Sequence, residues 1–271
     1  MYSFPLSNGV PWYLEAGDPD AESAVDGAAA VMRLPRISSR GGHRDPSRRV
    51  QVFSAPPEAP PEGIFCVLPR PNIYGNTTFN QYTTIAHALA RGFAREGGVL
   101  LHGALAEYRP DDSTGQGVIF SAHGGAGKTT ASRRLPVPWR SLSDDAVLVM
   151  PSGSGRFRAH PWPTWSSFLH EDRSGNGWDV QTSVPLHACF FLRQAGQDSI
   201  VSLGPGQAAG LLAESARQIN FQDIKLPPEE RRMLRLQRFD AICSLAKNAP
   251  AYLLQISLEG EFWRDVERVL R

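Results

Sequence analysis

Two regimes of apolar spacing alternate along this sequence. Unbroken runs of strand length occur at Ile64-Phe65-Cys66-Val67-Leu68, Val99-Leu100-Leu101, Gly117-Val118-Ile119-Phe120, Ala146-Val147-Leu148-Val149-Met150 and Ala188-Cys189-Phe190-Phe191-Leu192, the pattern of strands buried on both faces. Between them the period lengthens. Ile85, Leu89 and Phe93 recur every four residues and predict a helix over Tyr82–Glu96, stopped at Gly97-Gly98. Further helices are predicted over Thr130–Leu135, ending at Pro136, and over Ala208–Gln218, Pro228–Ala246 and Phe262–Leu270. Ala104–Tyr108 is read as continuing the Val99 strand past His102-Gly103, and additional strands are expected at Arg140–Ser143, Phe157–Trp165 and Tyr252–Ile256, with Ser199–Leu203 as the hairpin partner of Ala188–Leu192. Strands interleaved with helices predict an α/β domain with a mixed sheet and flanking helices over residues 64–271.

Residues 1–63 read differently. They lack strong helical periodicity and are broken by Ser38-Ser39-Arg40-Gly41-Gly42 and by Ala55-Pro56-Pro57-Glu58-Ala59-Pro60-Pro61. Short strands at Val31–Leu34 and Val50–Phe53 fit between the turns, which gives a small β-rich N-terminal lobe with a proline-rich connector. Arg40, Arg44, Arg48 and Arg49 mark a basic loop, read as solvated, with a substrate-docking patch as the alternative.

Composition narrows the class. The chain has 271 residues and a formal net charge of +1, which argues against a general nucleic-acid or membrane-surface binder. No run approaches the roughly 18–20 apolar residues that cross a bilayer, so a cytoplasmic protein is the expectation. Cys66, Cys189 and Cys243 are widely spaced in apolar surroundings and read as buried thiols, not as a disulfide frame or a zinc site. Of 28 cationic residues only Lys128, Lys225 and Lys247 are lysines, so the lysine in the following motif is not one of a crowd.

That motif is Ala122-His123-Gly124-Gly125-Ala126-Gly127-Lys128-Thr129, a P-loop with Ala in place of its usual first Gly. Glycines let the backbone pass close to an anion and turn successive N–H groups inward. Gly124, Gly125, Ala126 and Gly127 would cradle phosphates, Lys128 would reach the β/γ-phosphates, Thr129 would offer a hydroxyl to Mg²⁺, and Thr130 would carry the chain into the helix. Asp144-Asp145 follows between two strands. Such a pair can divide two tasks, one carboxylate facing a metal and the other accepting a hydroxyl proton, although Asp pairs also cap turns. His102, at a strand end, is either packed or part of the same site. His160, beside Pro161-Trp162, reads as an aromatic packing corner.

The order His102-Gly103, strand, Gly127-Lys128-Thr129, then Leu142-Ser143-Asp144-Asp145 resembles the HPr kinase/phosphorylase family, whose P-loop fold is related to phosphoenolpyruvate carboxykinase. The pattern is closest to the HPr-kinase-like proteins of peptide-modification gene clusters, of the SynChlorMet-cassette type. The resemblance implies an ATP- and Mg²⁺-dependent kinase acting on a Ser or Thr hydroxyl of a peptide, small protein or amino-acid-like acceptor, such as a precursor peptide encoded nearby. It makes Asp145 the base, Asp144 a metal ligand with Thr129, and His102 their support. Relatives are often oligomeric, so a homo-oligomer is one expectation, with the oligomeric state left open by the sequence. The family's Glu-containing signature after the Asp pair and its arginine-bearing phosphorolysis loop are absent from this sequence, and Thr130 stands where an acidic residue is usual. Phosphorolysis, and HPr itself as acceptor, are therefore not implied. A non-catalytic nucleotide sensor or peptide-binding partner and a plain NTPase stay open as alternatives.

Overall fold

The computed structural model describes residues 1–6, 9–38, 45–70, 76–111, 114–122, 127–163, 178–220, 223 and 226–271. It is a mixed α/β structure of two compact units, residues 1–96 with 163–182, and residues 97–162 with 183–271.

The first unit holds a four-stranded sheet in the order β1 (Tyr2–Pro5), β2 (Pro11–Ala16), β3 (Arg49–Phe53), β4 (Ile64–Val67). β1 runs antiparallel to β2, and β3 and β4 follow parallel. Helices α1 (Glu22–Val31) and α2 (Thr77–Ala94) belong to the same unit. Three expectations change here. Val31–Leu34 is not a strand: Ala24, Val25, Ala28 and Ala29 form one buried face of α1, which runs through Val31, because a run of strong helix formers with that spacing outweighs a short β-branched end. The run at Ile64 does not join the main sheet. β4 pairs β3 with Val50 opposite Ile64 and Val52 opposite Cys66, matching buried position to buried position at period two. The division between the units therefore falls after Glu96, not after residue 63. Finally, α2 begins at Thr77, five residues before the apolar pattern starts, because the Asn76 side chain accepts a hydrogen bond from Phe79 N at 3.0 Å and caps the helix. Arg40 and Arg44 lie outside the described residues. Arg48 and Arg49 do not extend freely into solvent; they pair with Glu96 at 2.6 Å and Glu15 at 3.7 Å.

The second unit is built on an eight-stranded mixed sheet with the order β11-β12-β10-β6-β5-β8-β9, to which β7 adds by pairing with β5. The strands are β5 (Val99–Tyr108), β6 (Gln116–Ser121), β7 (Trp139–Ser143), β8 (Ala146–Pro151), β9 (Phe157–Pro161), β10 (Val184–Gln194), β11 (Ser199–Ser202) and β12 (Ala251–Ile256). β6, β10 and β12 are mutually parallel, whereas β5 lies antiparallel to β6. Ser199–Ser202 pairs with β12, not with β10 as a hairpin. The apolar β12 occupies the slot beside β10, where both faces are covered, and leaves the half-exposed β11 the edge.

Alternation along the central strands feeds two cores. Ile119, Cys189 and Phe191 pack with Leu212 of α4 (Pro205–Ile219) and Leu245 of α5 (Pro228–Asn248). Val118, Phe120 and Phe190 pack on the other face with Ala131 of α3 (Lys128–Arg134) and Phe262 of α6 (Phe262–Leu270). Phe120 meets Phe190 at a centroid distance of 5.6 Å and Phe262 edge-on at 6.1 Å. Burial pushes the Cys66 and Cys189 thiols up to about 12. Cys243 is exposed, since it sits on the outward side of α5 despite its apolar sequence neighbours. Among the described residues no helix is long and apolar enough to cross a membrane.

Candidate functional site

The chemistry-bearing residues meet at the ends of central strands of the second unit's sheet. Gly103 pairs with Ser121, and Ser121 is in register with Phe191 and Leu253. The end of β6 is thereby set beside His102 of β5 on one flank and Phe191 of β10 on the other, with Leu253 of β12 beyond it. Close approach of β5 to β6 explains the glycine after His102: a Cβ on Gly103 would lie 2.9 Å from Ile119 Cγ2 and 3.0 Å from the Phe120 carbonyl oxygen. Two hydroxyls then fix the backbone of His102. Ser121 Oγ and Ser215 Oγ donate to its carbonyl at 2.9 and 3.0 Å, and Gly103 N donates to the Asp145 carbonyl at 2.9 Å. At about 1 kcal/mol net for each bond, this small network holds the strand end against thermal disorder.

The His102 ring bridges two elements. Its Nε2 lies 2.7 Å from Asp145 Oδ1 and its Nδ1 lies 2.5 Å from Gln218 Oε1 on α4. Gln218 Nε2 donates to Glu214 Oε1 at 3.2 Å, which orients the amide with its oxygen toward the ring. Both ring nitrogens thus face oxygen acceptors, and the carboxylate is oriented by a ring that is itself oriented. Asp145 keeps 43% of its side chain exposed, and its Oδ2 receives no hydrogen bond from the described residues. Asp144 is half-buried beside it in the bend between β7 and β8.

Lys128 opens α3. Gly127 precedes it at φ +95°, a left-handed conformation that glycine adopts without strain. The Lys128 side chain is buried at 6% exposure, and its Nζ donates to the Ala122 carbonyl at 3.0 Å. Burial pushes the ammonium below its ordinary value, while the Asp145 carboxylate pulls it back up. The lysine that follows β6 and the aspartate that follows β7 therefore share one electrostatic environment. His123, Gly124, Gly125 and Ala126 lie outside the described residues, as does the side chain of Thr129; Thr130 is exposed on the first turn of α3. His160 is fully buried and Trp162 nearly so, as a packing corner requires.

A cavity of about 310 Å³ adjoins the His102 network. Ser121, Ala122, Ser215 and Gln218 line one part of it, Phe191, Leu211 and Leu253 form an apolar floor, and Arg193 and Glu214 add charge. Gln218, Ser215 and this cavity have no local signature in the sequence: they come from a helix that begins 76 residues after Lys128 ends its motif at Thr129, and are found only when α4 is folded onto the strand ends. Among the described residues no three His, Cys, Asp or Glu side chains stand together to hold a metal unaided. The Asp144-Asp145 pair suits a cation that arrives with phosphate oxygens, because Mg²⁺ is usually held through one or two carboxylates plus substrate phosphates.

No curated protein matches the chain. The sequence profile of the SynChlorMet cassette protein ScmC matches residues 71–271, which takes in all of the second unit and the helix that precedes it. The chain belongs to the family of SynChlorMet cassette proteins ScmC.

Proposed function

We propose that this protein is an ATP-dependent kinase that transfers the γ-phosphoryl group to a Ser or Thr hydroxyl of a peptide, small protein or amino-acid-like acceptor, with the HPr-kinase-like P-loop arrangement that the sequence resembles. The observation that carries the reading is the convergence of Lys128, Asp145 and His102. A buried lysine at the end of a phosphate-binding motif and a half-exposed carboxylate held by an imidazole are what phosphoryl transfer asks of a protein: positioning and charge, with little covalent work.

In this reading the residues at Gly124–Gly127 and Lys128 bind the phosphates. The acceptor oxygen attacks the γ-phosphorus, the bond from that phosphorus to the β,γ-bridging oxygen breaks, and its electron pair leaves with ADP. The hydroxyl proton passes to Asp145 Oδ2, the oxygen that His102 leaves open. Mg²⁺, when bound with the nucleotide, would neutralise phosphate charge, and Thr129 and Asp144 are the residues assigned to hold it. The cavity over Phe191, Leu211 and Leu253 takes the acceptor's flanking side chain, since it borders the Ser121-Ala122 end of β6.

The direct test is incubation with γ-labelled ATP, Mg²⁺ and a peptide encoded beside the gene. Label on the peptide supports the reading. Free phosphate without labelled peptide would make the protein an NTPase, and bound nucleotide without turnover would make it a sensor.

Gln218 acts in this scheme through His102 and is a positioning residue. Gln218→Leu is expected to lower kcat roughly 10-fold to 100-fold, the range for losing such a supporting hydrogen bond, with the KM for ATP unchanged. Gln218→Glu, which keeps an acceptor toward Nδ1, should restore most of the rate. An equal loss in both variants would reduce Gln218 to a packing residue.

A further inference from the structure

α4 and α5 border a second cavity, of about 620 Å³, whose lining includes none of His102, Asp145 or Gln218. Arg231, Arg235, Arg238 and Ile242 reach it from α5 at steps of four, three and four residues, which is one helical face. The cations differ in how they are engaged. Arg238 is paired with Asp223, and Arg217, on the α4 side, with Glu214. Arg231 and Arg235 have no carboxylate partner among the described residues.

Asn220 lines the same cavity and is only 7% exposed. Its Nδ2 donates to the Ala216 carbonyl at 2.7 Å and to the Leu100 carbonyl at 3.3 Å, which ties the end of α4 to β5. The cavity also carries apolar surface. Phe239 lines it at 61% exposure, and Ala213, Ala216 and Ile242 complete its apolar wall.

We propose that this cleft binds a peptide segment bearing acidic side chains next to an apolar one. Carboxylates of the peptide meet Arg231 and Arg235, charge-assisted contacts that guanidinium groups make in two-pronged fashion. An apolar side chain of the peptide covers Phe239. A simple inorganic anion satisfies the arginines but offers no apolar contact. The inference stands apart from phosphotransfer, because the cleft contains none of Lys128, Asp145, His102 or Gln218.

The test is fluorescence anisotropy of a fluorescein-labelled peptide of Glu-Glu-Leu-Gly repeats, with a Lys-for-Glu counterpart as control. The acidic peptide is expected to bind and to weaken as salt rises, while the basic one does not bind. Arg231→Glu combined with Arg235→Glu should weaken binding at least about tenfold. Arg231→Gln with Arg235→Gln, which removes charge without reversing it, should give a smaller loss in the same direction, and Phe239→Ala a further loss. Lys128→Met should leave peptide binding intact, so failure of the kinase reading and failure of this one are separable. Absence of binding, equal binding of the basic peptide, or full binding by the doubly reversed variant would each overturn the proposal. So would capture by phosphatidylserine vesicles without binding of the free acidic peptide, or a Phe239-dependent self-association without it.

Discussion

Lys128→Met is expected to yield a protein that no longer binds ATP or transfers phosphate, yet melts at a higher temperature than the parent. The two effects have one cause. Lys128 is almost fully buried, its ammonium is engaged by the Ala122 carbonyl, and burial works against its charge. A chain that keeps such a group carries a cost in the folded state that a phosphate ligand would offset. Methionine has a similar length, fills the same space and has no charge to desolvate. The expected gain is about 1 kcal/mol, or ~2–4 °C in a chain of this size.

The pH dependence of that gain identifies its origin. With a folded-state pKa below the ordinary 10.5, the unfolded chain binds the extra proton between the lowered value and 10.5. Parental stability therefore rises with pH through that window. The advantage of Lys128→Met should be largest below the window and shrink toward its upper end. Paired thermal melts across alkaline pH, alongside titration with a fluorescent ATP analogue, measure both effects. Retained nucleotide affinity in Lys128→Met would remove the lysine from the phosphate site, and a constant stability difference across pH would remove the burial argument.

Asp145→Asn separates binding from transfer. Asparagine has the same shape, can still meet the His102 ring, and sits where 43% of the side chain is exposed, so stability should change by less than about 1 kcal/mol. What is lost is a basic oxygen facing the acceptor. Transfer to the authentic acceptor should fall roughly 10²–10⁴-fold, the range for a positioned general base, while ATP affinity stays near that of the parent. Asp144→Asn gives the contrast: its defect should be relieved by raising Mg²⁺, because its assigned task is holding the cation and not taking the proton. Full transfer activity in Asp145→Asn would move the base elsewhere, and relief of both variants by Mg²⁺ would make the pair a metal site alone.

Much of the fold could be read from local pattern. Runs buried on both faces, such as Ala146–Met150 and Ala188–Leu192, are strands whatever surrounds them, and four-residue spacing marks α2 and the terminal helix. Even so, pairing was not readable. The sequence neighbour of β10 is β11, but its spatial neighbour is β12, because the sheet gains most by putting its more apolar strand inside. The same reason sends Ile64–Val67 to the first sheet, where Val50 and Val52 offer a matching buried row.

The candidate site divides along that line. The sequence by itself determined that a glycine-rich turn ends in Lys128, that two adjacent aspartates follow a short strand, and that a histidine precedes Gly103, because these depend on residue identity and near spacing. Only the tertiary structure decided that Asp145, and not Asp144, is the carboxylate held by His102. It also decided that Gln218 holds the far side of that ring and that Ser121 and Ser215 close on the same backbone carbonyl. Those contacts join residues up to 116 positions apart. Hydrogen-bond geometry over such separations is set by how α4 packs on the strand ends, which no local pattern of residues encodes.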